Sequence, residues 1–552
     1  MKKRLFLILF ILTTIITLSS CKKDFKISII ATSDIHCGLL EDKDKNEMGL
    51  SNVSAYKNMR NKKGYKTTLV DCGDLIQGDS IGLLSKGSYV TEPFKAAGYE
   101  LMTIGNHEFD YGINSLEENI DYLNKSNCDV LSCNLKYIGS GEKRLTNVKP
   151  YKIIDYKKYK IGYVGITSCQ TITKSTPSIF KENGEFAYSL SNDTKELFYD
   201  TVQQSINDCK NDGANYVVLM SHCGYGDEYG EYGSVPLMEN VSGYDIILDG
   251  HSHKIVEPET HKDKDGNDKT LICLGTKISC FGEVIFDSKG IKEVSLVKDY
   301  YEKDSKVDEV LNKVYANTQN KVSEKVSTSD IALSIKNGNI RLPRNRETQI
   351  GNFYADAFRH YYNSDIGFIN GGGVREGFGQ GDITYDTLYK MAPFGNFGCV
   401  IEATGSQILD YLEFGARLRE YSADNGEKAI GENGAFAVGS GIKYTIDTSI
   451  ASPVVVDANG MFIKIEGERR IKDVYVLENG TYVSLDSAKT YTVATISYIA
   501  MDNGDGVKAF DGCNVLTEAD KLDVDILADY FKYLNGDIKS KYENIEGRIT
   551  II

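Results

Sequence analysis

The chain of 552 residues has only 7 histidines. It also lacks a surplus of basic charge, a membrane-length apolar run beyond its first residues and, once Cys21 is set aside, an even set of cysteines, and each absence excludes something. Against 63 Lys and Arg stand 78 Asp and Glu, a formal net charge of -15, so the basic face of a general nucleic-acid binder is missing. An anionic small substrate would need local positive charge, from metals and arginines, against an unfavourable overall field. After Leu18 no stretch approaches the roughly 20 apolar residues that a membrane-spanning helix needs. The 12 cysteines give no disulfide framework: without Cys21 their number is odd, and Cys128 with Cys133 is only a weak candidate pair. Internal repeats and low-complexity tracts are missing as well.

What remains is the composition of a large globular protein, 41% apolar and 26% charged, too long for a single core and expected to divide into at least two domains. The N-terminus reads as an address. Lys2, Lys3 and Arg4 precede an apolar stretch from Leu5 to about Leu18, followed by Leu18-Ser19-Ser20-Cys21. A basic n-region, a short h-region and small residues describe a cleaved export signal over residues 1–21. Its ending resembles a bacterial lipoprotein box, which implies lipidation of Cys21. Two acyl chains on that cysteine would suffice for stable anchoring.

Five of the histidines fall in short motifs that each follow an apolar run. They are Asp34-Ile-His36, Gly105-Asn106-His107-Glu-Phe-Asp110, Ser221-His222 and Gly250-His251-Ser-His253, and Asp71-Cys-Gly-Asp74 follows a fifth run. In open α/β sheets ligands gather at the carboxyl ends of strands. Imidazole with carboxylate suits zinc, manganese or iron, and two such ions can share a bridging carboxylate. Asp34 and His36 can aim at one ion from a turn. Asp74 is placed to bridge, Asn106 offers an amide oxygen, and His222, His251 and His253 complete the imidazole supply. His107 is better placed as a cation or acid beside the ions, oriented by Asp110 as carboxylates orient catalytic imidazoles. Cys37, Cys72 and Cys223 flank these motifs. A thiolate ligand is conceivable, but the His/Asp/Asn set already fills two sites, so they read as small buried hydrophobes. His261, in a polar loop, and His360, on a helix, read as uninvolved.

Along the chain, strand-like runs alternate with helical stretches at 49–64, 114–125 and 193–211, which predicts an α/β layered core. Residues 228–232 and 257–268 read as polar loops. Val307, Val310, Leu311 and Val314 recur at helical spacing, a connecting helix within 301–330. The expected division is 25–300, that connector, and 331–552.

The ordered motifs resemble those of the calcineurin-like metallophosphoesterases, and more narrowly the bacterial 5'-nucleotidase, UDP-sugar hydrolase and cyclic phosphodiesterase family, over nearly the whole chain after the signal. The resemblance implies a four-layer α/β/β/α metallophosphoesterase domain joined by a helix to a C-terminal α+β nucleotide-binding domain. It implies two divalent ions of the zinc, manganese or cobalt type. Asp34, His36, Asp74 and His253 would surround one, and Asp74, Asn106, His222 and His251 the other, with His107 and Asp110 as the catalytic dyad. His253 stands where some members have glutamine or asparagine.

The second domain carries matching signals. A glycine run lets backbone approach a ligand, and an arginine beyond it can grip phosphate. Asn370-Gly-Gly-Gly-Val-Arg375 has that form. By the resemblance Arg344, Arg346 and Arg375 form the phosphate clamp and Asn370 a polar contact. Phe394, in Pro393-Phe394-Gly-Asn396, stacks on the base, and Asp505 binds ribose. The loop from Tyr498 to Gly506 departs from the family by one extra residue. It leaves Ile499 at the aromatic position and Tyr498 beside it, so the second stacking partner stays open.

The expected protein is an extracytoplasmic, lipid-anchored phosphatase of nucleoside 5'-monophosphates that binds no nucleic-acid polymer. A 2',3'-cyclic phosphodiesterase with 3'-nucleotidase activity and a UDP-sugar diphosphatase are the near alternatives. Asp110 leans toward the nucleotidase, since the cyclic phosphodiesterases carry asparagine after Glu-Phe. A binding lipoprotein without catalysis is the alternative of another class. Cys21→Ser should abolish metabolic lipid labelling, and acyl chains on that variant would contradict the anchor.

Overall fold

The computed structural model describes residues 26–183, 185–287, 289–338, 340–418, 420–422 and 428–552. Cys21 and the apolar leader lie outside them.

Two six-stranded sheets carry the first half. One runs Gly290–Val297, Phe281–Asp287, Ile27–Thr32, Lys66–Asp71, Tyr99–Thr103, Asp129–Leu131 in spatial order; the other runs Ile255–Lys262, Asp268–Leu274, Ile246–Asp249, Tyr216–Ser221, Lys160–Ile166, Tyr151–Asp155. In the first sheet the four strands from Ile27–Thr32 to Asp129–Leu131 are parallel and the other two antiparallel; in the second only the two outermost pairings are antiparallel. Side chains alternate across a strand. Ile27, Ile29 and Ala31 accordingly join Val218, Met220 and Leu248 in an apolar layer between the sheets. Ile30 points the other way, into a core shared with Val53, Phe94 and Ile120 of the helices Leu50–Lys62, Ser88–Ala97 and Gly112–Lys125. Helix Lys195–Asn211 starts where Thr194 accepts the amide of Leu197, a side-chain cap for an otherwise unpaired donor. Helix, sheet, sheet and helix therefore stack in four layers.

Two sequence expectations need correction. Residues 257–268 are not a loop: Ile255–Lys262 is an edge strand paired with Asp268–Leu274. Its alternation of half-buried and exposed residues hides in a polar sequence because only one face of an edge strand is covered. Cys128 and Cys133 are both buried and free.

Helix Ser305–Val322 begins at Asp304, whose carboxylate accepts the Lys306 amide at 3.0 Å. Its Val307, Leu311 and Val314 are buried in the first core, so it belongs with the first half as a packed element. Beyond it a mixed five-stranded sheet runs Ala437–Ser440, Ile366–Asn370, Thr490–Ile496, Phe397–Thr404, Asn514–Leu522. Helices Gln349–Tyr362 and Asp523–Leu534 pack on it through Phe353, Phe358, Ile526 and Phe531. Among the described residues no helix is long and apolar enough to cross a membrane.

A buried ion pair ties the chain end to this second core. Arg548 Nη1 and Nη2 donate to Asp356 Oδ1 and Oδ2 at 2.8 and 3.0 Å, and Tyr542 donates to Oδ2 at 2.8 Å. Burial alone would raise this carboxyl, but Arg548 outweighs it and holds Asp356 at about 2. A depressed carboxylate stabilises the fold above its unfolded value of about 4, and that contribution is lost as pH falls toward 2. Asp356→Asn should cost about 3–5 kcal/mol, because it strands a buried guanidinium. Chemical denaturation at neutral pH measures this, and an unchanged midpoint would contradict it.

Candidate active site

The central strands of each sheet run parallel, so their carboxyl ends converge on one edge. Asp34 follows strand Ile27–Thr32, Asp74 follows Lys66–Asp71, and Asn106 with His107 follows Tyr99–Thr103. His222 follows Tyr216–Ser221, and His251 and His253 follow Ile246–Asp249. Asp34, His36, Asp74, His251 and His253 all adopt positive φ, between 44° and 67°. Each such non-glycine residue costs on the order of 1–3 kcal/mol, a strain that persists where surrounding structure enforces it. Gly105 must be glycine, since an added Cβ would lie 2.3 Å from Asp74 Oδ1.

Two donor groups result. Asp34, His36, Asp74 and His253 bring ligand atoms within 4.8 Å of one another, as do Asp74, His222 and His251. Asp74 belongs to both. His36 Nδ1 lies 2.9 Å from the Gln77 carbonyl and His222 Nδ1 lies 2.6 Å from the Cys72 carbonyl. A carbonyl only accepts, so both Nδ1 atoms carry a hydrogen and both Nε2 atoms are the positions left to face a metal. His222 Nε2 then faces Asp74 Oδ2 at 3.1 Å, and His253 Nε2 faces Asp34 Oδ1 at 3.4 Å. Asn106 Oδ1 is buried without a hydrogen-bond partner. Carboxylates and imidazoles aimed at one another in a buried site call for cations between them, and imidazole, carboxylate and amide oxygen fit divalent transition metals.

The electrostatics agree. Burial pushes His36 down to about 3 and holds His251 and His253 well below the usual imidazole range. They are neutral at pH 7, as ligands must be. Burial would also depress His222, but the Asp74 carboxylate reverses this and carries it up to about 10. A metal at that position must displace a proton, so binding releases protons.

His107 stands apart from both donor groups. Its Nδ1 is 2.6 Å from Asp110 Oδ2. Ser175 Oγ donates to Asp110 Oδ1 at 3.1 Å and to the Asn106 carbonyl at 2.7 Å. Burial would lower His107, but Asp110 and Asp74 outweigh it and raise it above its ordinary value.

Above the donor groups a cavity of about 1670 Å³ opens between the two halves of the chain. Arg344, Asn370, Arg375, Phe394, Asn396, Tyr498 and Asp505 line it from the second half. Arg346 does not: the turn Leu342–Arg344 faces Arg344 into the cavity, while Arg346 Nε bonds Asn345 Oδ1 at 3.1 Å. Ile499 is fully buried in the second core. Tyr498 faces the cavity, its hydroxyl accepting the Asp505 amide at 2.9 Å and donating to the Thr173 carbonyl at 3.1 Å. Phe394 lies against the Arg375 guanidinium at 5.3 Å and the His107 ring at 5.9 Å.

Residues 325–512 match the family model described as the 5'-nucleotidase C-terminal domain. That part of the chain is thus similar to the nucleotide-handling domain of 5'-nucleotidases. Residues 67–275 match a model described as the bacterial capsule synthesis protein PGA_cap. A trifunctional nucleotide phosphoesterase, YfkN of Bacillus subtilis, is 25% identical over 95% of this chain, which spans only 35% of that longer protein. A snake venom 5'-nucleotidase of Gloydius brevicauda is 25% identical over 96% of this chain and 90% of its own. The crystal structure of a 5'-nucleotidase precursor from Thermus thermophilus shares the fold, with TM-score 0.74, 23% identity and coverage of 96% and 99%.

Some residues of this site gave no signal in the sequence. Glu108 accepts the backbone amides of Asp74, Leu75 and Gly105 at 2.7–2.9 Å, clamping two ligand loops together. Lys174 crosses between the halves to Asp505 Oδ1 at 3.1 Å. Both look like ordinary charged residues until the chain is folded. Asp74→Asn should lower bound divalent metal, because it weakens both donor groups, whereas His107→Asn should keep it. Elemental analysis after dialysis decides, and metal loss in the His107 variant would contradict the separation of roles.

Proposed function

We propose that this protein is an extracytoplasmic phosphohydrolase, anchored through lipidated Cys21, that releases phosphate from nucleoside 5'-monophosphates. The single observation that carries the reading is the common cavity: both donor groups, the His107–Asp110 pair, an arginine, an aromatic pair and a buried carboxylate open onto it. Relatives named as 5'-nucleotidases support the substrate class.

Asp34, His36, Asp74 and His253 would hold one divalent ion, and Asp74, Asn106, His222 and His251 a second. Bound there, the pair supplies Lewis acidity toward the phosphoryl group and the attacking water. Arg375 grips a phosphoryl oxygen. His107, whose proton affinity Asp110 raises, is placed to donate from Nε2 to the oxygen on which charge develops, and Ser175 keeps Asp110 in place. Phe394 and Tyr498 offer ring faces for the base. Asp505 with Asn370, joined at 2.8 Å, reads the ribose hydroxyls. The Bacillus subtilis relative is named a trifunctional nucleotide phosphoesterase, which favours more than one class of nucleotide phosphoester as substrate.

Phosphate release by the metal-loaded protein from AMP, 3'-AMP, 2',3'-cyclic AMP and UDP-glucose tests the reading. AMP should be the best substrate, and no release from any of them would leave only a binding protein. Removing the Phe394 ring forfeits a stacking contact of about 1–3 kcal/mol. Phe394→Ala should therefore raise KM for AMP roughly 5- to 150-fold and leave an aryl phosphate nearly unaffected. Equal losses on both would make Phe394 a packing residue. His107→Asn should lower kcat by roughly 10²–10⁴-fold, the range for a proton-transfer group.

A further inference from the structure

The cavity carries more positive charge than one phosphoryl group and its metals can use. Arg341 is taken by Glu432 at 2.7 Å and Lys254 by Glu228 at 2.9 Å, and Arg375 feels Asp110 and Asp74 at the metal end. Apart from the exposed Lys45 and Lys336, that leaves Lys174, Arg344 and Arg417 lining the same space, each with Asp505 as a charged neighbour. Lys174 Nζ contacts Asp505 Oδ1 at 3.1 Å while Asn370 Nδ2 occupies Oδ2 at 2.8 Å. A Cβ on Gly434 would sit 2.3 Å from Oδ1. The residue before it, Asn433, donates its amide to the Arg344 carbonyl at 2.9 Å. Asn433 Nδ2 also reaches the Gly415 carbonyl at 2.7 Å, two residues before Arg417. Arg417 gives its Nη1 to the Phe414 carbonyl at 2.8 Å and lies 3.8 Å over that ring.

One carboxylate, already held by a lysine and an amide, thus faces two further guanidiniums. Burial and neighbouring cations push Arg344 down to about 9, and burial pushes Arg417 down to about 10. All three side chains are only partly buried, so an anion that enters the cavity can reach them. The phosphate of a simple monoester lies at the metal end and cannot pair these.

We infer that Lys174, Arg344 and Arg417 form a second anion subsite beside Asp505, and that it takes a phosphoryl group esterified to the ribose. The inference rests on the nucleotidase reading and narrows its substrate class to include nucleoside 3',5'- and 2',5'-bisphosphates. Water cleaves the 5' P–O bond, giving inorganic phosphate and the nucleoside 3'- or 2'-monophosphate, so the ribose phosphate binds and is not consumed.

Steady-state kinetics of the metal-loaded full chain on AMP, adenosine 3',5'-bisphosphate, adenosine 2',5'-bisphosphate and ADP test this. One ribose bisphosphate should show a KM at least tenfold below that of AMP. Arg417→Met should erase that preference and Arg417→Lys should restore part of it, with near-wild-type melting showing that both variants fold. AMP turnover with both ribose bisphosphates no better than AMP would overturn the subsite and leave the nucleotidase reading standing. A preference for ADP alone would put the second phosphate on the 5' chain and also overturn it. A preference that survives in Arg417→Met does the same. No release from AMP or from either bisphosphate would overturn both readings.

Discussion

Imidazole nitrogens and carboxylate oxygens packed against one another, with a proton on His222 to relieve only one of the contacts, are the constraint on which the first half of this protein depends. Asp74 Oδ2 stands 3.1 Å from His222 Nε2 and 3.7 Å from His36 Nε2, and backbone carbonyls hold both rings with Nε2 toward it. Such a cluster is repulsive unless cations occupy it. The fold pays for holding it: five ligand residues sit at positive φ, Glu108 binds three amides to fix two loops, and Ser175 pins the neighbouring dyad. Metal binding and folding of this edge are therefore coupled.

The second half depends on that edge for its meaning. Its glycine run, Phe394 and Asp505 complete a cavity only because the metal edge closes the other side. Lys174 and the Thr173 carbonyl reach across to Asp505 and Tyr498, and Asn192 meets Asn459 at 3.0 Å. On the proposed reading, recognition of the nucleoside and attack on its phosphate would be divided between the halves and meet in one space.

A layered α/β core was legible because parallel strands covered on both faces read as apolar runs alternating with helical stretches such as 49–64 and 193–211, while its four layers came from the family resemblance. The edge strand at Ile255–Lys262 was not, since one exposed face makes a strand look like a polar loop. At Tyr498 and Ile499 a one-residue difference in a loop could be resolved only by seeing which side chain faces the cavity. Glu108, Lys174 and Arg417 were illegible for a different reason. Their partners lie 33, 331 and 3 residues away, and a charged residue acquires its role from a partner that only folding supplies.

The central claim is that two metal ions share Asp74. Anomalous diffraction from crystals of zinc- or manganese-loaded protein tests it directly. The account predicts two peaks on either side of Asp74, one enclosed by Asp34, His36 and His253 and the other by Asn106, His222 and His251. A single peak, or peaks that avoid Asp74, would contradict it.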